Sequence, residues 1–161
     1  MINDKLKSNC DKLLNEANRI IPSARRALLD EVAAFMRKEI EEAVTDTRDV
    51  SLVYLCTHNS RRSHFAQVWG HIASVIFQVK NLRTYSGGTV ATECHPNTIA
   101  ALKHIGFKVI CKDLSADNPL YNVYYNENDF ISCYSKANTD ESIPPEIPIT
   151  NAWALLGILF A

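Results

Sequence analysis

Apolar positions repeat at helical spacing twice before the first strand-like run of the chain. Leu6, Cys10, Leu13, Leu14, Ala17 and Ile21 fall on one stripe; Ala24, Ala27, Leu28, Val32, Phe35, Met36, Ile40 and Val44 fall on a second. Steps of three and four residues predict two helices over residues 4–44. Ile20-Ile21-Pro22-Ser23 interrupts them, with Ser23 in place to cap the second. Arg25, Arg26, Arg37, Lys38 and Glu42 lie off the stripe and read as a solvated face. Together the two segments predict a helical hairpin, packed on the following domain or on a second copy of the chain.

From residue 50 the period changes. Val50-Ser51-Leu52-Val53-Tyr54-Leu55 is a short apolar run of strand length, preceded by the polar joint Thr45 to Asp49. Phe65, Val68, Trp69, Ile72, Val75, Ile76 and Val79 then predict a helix over 63–79. Leu82 to Ser86 predicts a second strand, ended by Gly87-Gly88. Pro96 suits the first turn of a helix that Gly106 closes, and residues 107–111 predict a third strand. Residues 121–125 and 130–134 alternate and predict a hairpin turning through Asn126 to Asp129. Strands alternating with helices argue an α/β domain with a parallel, doubly wound sheet behind the N-terminal hairpin. The expected divisions are 1–46 for the helical extension, 47–136 for the α/β domain and 137–161 for an atypical C-terminal segment. That last segment carries Pro144, Pro145 and Pro148, then an apolar run from Ala152 to Ala161.

Composition narrows the classes. A chain of 161 residues can bury one sizeable core. A net charge of −1 gives no general attraction to nucleic acid or to an anionic membrane surface. The longest apolar stretch is too short to span a bilayer. No leader-like apolar segment follows Lys5 and Lys7, and the five cysteines are an odd number, so reduced thiols in a cytoplasmic protein are expected. Cys10, Cys94, Cys111 and Cys133 have no C-x-x-C spacing, which argues against zinc. No metal or cofactor is implied.

The candidate chemistry lies between the first strand and the helix after it: Cys56-Thr57-His58-Asn59-Ser60-Arg61-Arg62-Ser63. A loop leading from a strand into a helix N-terminus can turn its N–H groups inward at the positive end of the helix dipole, and so cradle an oxyanion. Cysteine attacks as thiolate, and a helix N-terminus beside a guanidinium lowers its pKa. Arg62 can grip two anion oxygens in a planar fork that lysine does not offer. Ser63 can donate to the sulfur, and Asn59 can hold the loop through its backbone. Arg61 is read as facing solvent, as are His58 and His95; His64, His71 and His104 are read as helix surface.

Residues 54–63 resemble the active-site loop of the low-molecular-weight protein tyrosine phosphatases and the related thiol-dependent arsenate reductases. Tyr85-Ser86-Gly87-Gly88-Thr89, His95-Pro96-Asn97 and the run from Ala100 to Phe107 resemble that family's second strand, glycine turn and second helix. Cys133-Tyr134-Ser135-Lys136 is similar to a segment of its bacterial branch with a helical N-terminal extension. The resemblance implies Cys56 as nucleophile and Arg62 as transition-state clamp, with Thr57, His58, Asn59, Ser60, Arg61, Arg62 and Ser63 around the phosphate. It implies a phosphate or arsenate oxyanion as ligand and a phosphotyrosine protein as partner, with a homodimer through the hairpin a further expectation. Two departures stand out. Arg61 occupies a position where many members carry a second cysteine, and no Asp-Pro step supplies their general acid; Asp117 and Asp140 are the nearest substitutes. The span from Val50 to Ala161 is also short for a complete member. Three functions follow as expectations: a phosphatase acting through a cysteinyl-phosphate, an arsenate reductase using Cys56 and a second thiol, or an impaired oxyanion-binding module.

Overall fold

The computed structural model describes residues 1–144; what the sequence suggests for 145–161 lies outside the described residues. Two helices open the chain, α1 (Asp4–Ile20) and α2 (Ser23–Thr45). Asn3 caps α1 by accepting from the Leu6 N–H. Its amide also donates to the carbonyls of Gly106 and Tyr125, and Asn9 donates to the Ile105 carbonyl at 2.6 Å. These bonds satisfy carbonyls at the end of another helix, and they dock the start of α1, with Leu6 and Cys10 buried. Ser23 is the first helical residue and makes no capping bond; Pro22 precedes it as the cap, its ring already fixing an extended entry.

The apolar stripes of the hairpin are mostly uncovered. Leu13, Leu14, Ile20, Leu28 and Phe35 are exposed, and Ala43 alone is buried on α2. A helix of 23 residues runs about 35 Å, longer than the core beneath can cover.

After α2 come β1 (Val50–Cys56) and β2 (Leu82–Gly88), which pair in parallel from Val50↔Leu82 to Cys56↔Gly88. Between them runs α3 (Arg62–Ile76). It stops three residues before the predicted end because Gln78 takes a left-handed φ of 58°. The two glycines belong to β2 rather than following it. A Cβ on Gly88 would stand 2.7 Å from both the Asn59 nitrogen and the Thr57 oxygen, so the loop after β1 can approach only a glycine here. Beyond β2, Ala137 adds a parallel bridge to Gly88.

Helix α4 (Pro96–Ile105) begins and ends as read from sequence, with Pro96 in its first turn and Gly106 closing it at φ 126°. The next strand, β3 (Lys108–Cys111), does not join the parallel pair. It lies antiparallel to β4 (Tyr121–Tyr124), which pairs with β5 (Phe130–Cys133) in the predicted hairpin. Residues 112–120 hold no helix, and a parallel return needs a crossover of a dozen or more residues. The chain is therefore mixed α/β, with a two-stranded parallel sheet, a three-stranded antiparallel sheet and helices packed on them. Its main core joins α1, α3, α4, β4 and β5 through Leu6, Val68, Ile72, Leu102, Val123 and Cys133. No helix among the described residues is long and apolar enough to cross a membrane.

Candidate oxyanion site

The loop between β1 and α3 is held from outside by its carbonyls. The Cys56 and Thr57 carbonyls accept from the N–H groups of Thr89 and Val90, at 3.2 and 2.9 Å. Ser135 Oγ donates to the His58 carbonyl at 2.7 Å, and the His95 N–H donates to the Ser60 carbonyl at 3.0 Å. With carbonyls turned outward, the N–H groups turn inward, as an anion cradle requires.

Asn59 fixes the tightest point. It is fully buried with φ 44°, a left-handed conformation that Asn tolerates better than most residues. Its Oδ1 accepts from the Lys136 N–H at 3.0 Å, and its Nδ2 donates to Ser63 Oγ at 2.8 Å. Accepting that bond leaves the Ser63 hydroxyl proton free to point at Cys56 Sγ, 3.0 Å away. The chain Lys136–Asn59–Ser63–Cys56 thus orients one proton at one sulfur.

Cys56 is half-buried, and burial by itself pushes its thiol pKa up. The Ser63 hydroxyl and the N–H groups of Ser63, Ser60 and Asn59 together outweigh burial and bring the pKa below the ordinary value. Cys94, buried next to Glu93, is pushed up to about 12, and Cys133 and Cys10 are also raised by burial. Limited iodoacetamide near neutral pH should therefore label Cys56 well ahead of the other four cysteines, with inorganic phosphate protecting it. Peptide mapping reads the outcome, and even labelling would contradict this geometry.

A cavity of about 370 Å³ opens over the sulfur, lined by Cys56, His58, Ser60, Arg61 and Arg62. Both arginines are exposed at its walls. Arg61, read as facing solvent, thus shares the cavity with Arg62; it is also the residue preceding the first turn of α3. Thr57 lies on the outer side, exposed, with its carbonyl taken by Val90 and Thr89. Among the described residues no carboxylate lines the cavity. Comparisons of the chain with protein-family models, with curated proteins and with solved structures found no match.

Three histidines depart from their expected places. His64 is fully buried behind the loop. Ser86 Oγ donates to Gln67 Oε1 at 2.6 Å and meets His64 Nδ1 at 3.3 Å. Burial first, then the nearby Lys136 ammonium, push the His64 pKa down to about 4, against an opposing pull from the Asn59 backbone. His71 is half-buried against the Tyr125 ring, and burial lowers its pKa as well. His95 caps α4, its Nδ1 accepting from the Asn97 N–H.

One signal for His64 was present in its spacing, obscured by the periodicity of Phe65 and Trp69. His64, Val68 and Ile72 lie at i, i+4 and i+8, and all three are buried.

Proposed function

We propose that this chain is a phosphatase of the low-molecular-weight tyrosine phosphatase type, hydrolysing phosphate monoesters such as phosphotyrosine through a cysteinyl-phosphate. The observation that carries the reading is the Ser63 hydroxyl at 3.0 Å from Cys56 Sγ, inside a loop whose amides face that sulfur. In the first step the thiolate attacks phosphorus in line, the S–P bond forms and the ester P–O bond breaks. Arg62 and the loop N–H groups hold the three equatorial oxygens where charge builds. Water then attacks phosphorus, phosphate departs, and Ser63 steadies the returning thiolate. In this reading the parallel β1–β2 pair and the bridge at Ala137 belong to a doubly wound sheet.

Arsenate reduction would use the same cradle but needs a second thiol. Of the two candidate thiols, Cys94 is buried with a raised pKa and Cys111, half-buried on β3, does not line the cavity, so that chemistry would draw on a small-molecule thiol. The deciding experiment mixes the protein rapidly with p-nitrophenyl phosphate, follows the burst of nitrophenol, and traps the phosphoenzyme with acid. A burst of one equivalent that is lost in Cys56→Ser supports the phosphatase. Turnover of arsenate plus glutathione without a burst supports the reductase, and neither reaction, with phosphate still bound, supports a binding module.

A further inference from the structure

A leaving oxygen with a high pKa needs a proton as it departs, and among the described residues no carboxylic acid lines the cavity to give one. Asp140 accepts from Ser142 Oγ at 2.6 Å, from the Ser142 N–H and from the Tyr134 hydroxyl. Those bonds, Ser142 first, hold its pKa below the usual carboxylate value, so it is ionised at neutral pH. Asp117 is exposed and does not line the cavity. Among the residues that do, Cys56 must be the thiolate, arginine does not deprotonate, and a serine hydroxyl is too weak an acid. His58 remains.

Resting on the phosphatase reading above, we propose that His58 is the proton donor to the leaving group, an imidazolium in place of a carboxylic acid. Its backbone is well fixed: Ser135 Oγ and Thr92 Oγ1 both donate to its carbonyl, at 2.7 and 3.3 Å, and the turn at Asn59 follows directly. Its side chain is exposed at the cavity, where an alcohol or phenol would leave.

As the Cys56 S–P bond forms and the ester P–O bond breaks, the electron pair goes to the leaving oxygen and the imidazolium proton follows it. The neutral imidazole left behind can then take a proton from the attacking water. The S–P bond breaks in that step, which restores both thiolate and imidazolium. The charged groups around His58 are Cys56 on β1 and Arg61 and Arg62 at the start of α3. The residues that grip it from the other side, Thr92 and Ser135, are uncharged. Their neighbours Glu93, exposed, and Lys136, stacked 4.1 Å over the Tyr134 ring, are the next charges in sequence.

The test compares the unaltered chain with His58→Gln on a series of aryl phosphates running from p-nitrophenyl phosphate to phosphotyrosine, reading kcat/KM. With a proton donor in place, kcat/KM varies little along the series. Without one it falls steeply as leaving groups worsen, and phosphotyrosine, whose phenol has a pKa of about 10, suffers most. A loss of about 100-fold on phosphotyrosine is expected for His58→Gln, with p-nitrophenyl phosphate changed by a few-fold and its burst intact. The phosphotyrosine rate of the unaltered chain should also carry a basic limb in its pH profile, as reliance on any proton donor requires. That limb should be missing in the variant. If His58→Gln keeps both the phosphotyrosine rate and the limb, the proposal is overturned while the burst still upholds the phosphatase. If the unaltered chain shows no burst, the phosphatase reading falls, and this proposal with it.

Discussion

Arg62→Lys should lower kcat/KM for aryl phosphates by about 10²–10³-fold, the usual cost of removing one well-placed donor to a developing oxyanion. Lysine keeps the charge but loses the planar fork that holds two oxygens at once. The effect should fall mainly on kcat, because the donor matters most when charge has spread over the equatorial oxygens. Arg61→Lys, at the same cavity but one position earlier, should cost far less. Steady-state kinetics on both variants, with calorimetric binding of vanadate as a check, reads the comparison. A larger loss for Arg61→Lys would mean that the loop presents Arg61, not Arg62, to the anion, and equal losses would mean that both grip it.

Acidification should destabilise the fold through His64. Its pKa is about 4 in the folded chain and about 6.5 unfolded. Between those values the unfolded chain binds a proton that the folded chain refuses, so stability is fully present above pH 6.5 and falls as pH drops toward 4. The loss is about 3 kcal/mol across that window, a large share of the stability of an ordinary domain. His71, also lowered, adds in the same direction. Urea unfolding midpoints at pH 7.5 and pH 4.5 measure the loss. In His64→Gln the difference between the two pH values should shrink by most of that amount; an unchanged difference would show that His64 is not the titrating group.

How much of this was legible in the sequence depends on which interactions set each feature. The start and end of α4 were readable because Pro96 and Gly106 act through their own backbones. The β4–β5 hairpin was readable because alternation and a polar turn are local signals. The neighbour of β3 was not, since it is chosen by the short connection to β4 and not by anything in Lys108 to Cys111. The chemical types in the loop suggested a cradle, and Ser63 stands against Cys56 as read, while the bond from Asn59 to Ser63 was not foreseen. The polar group of Ser86, Gln67 and His64 was hidden, because a buried polar residue looks like a surface one until its partners are known. The stripes on α1 and α2 predicted helices correctly, but the packing expected of them on the domain is met only at Leu6, Cys10 and Ala43, while Leu28 and Phe35 stand exposed.

The loop's ties reach far along the chain: Asn59 to Lys136 and His58 to Ser135 each span 77 residues. Contacts so distant in sequence form late, because a long loop must close before they repay its lost entropy. At a synthesis rate of about 5–20 residues per second, several seconds separate the emergence of Cys56 from that of its last anchors. Until Ser135 and Lys136 arrive, the amides have no reason to face the sulfur, and the thiol keeps the sluggish reactivity of any unfolded cysteine. The Cys56 thiol therefore gains its lowered pKa only at the end of folding, when there is already a cavity around it to decide what can reach it.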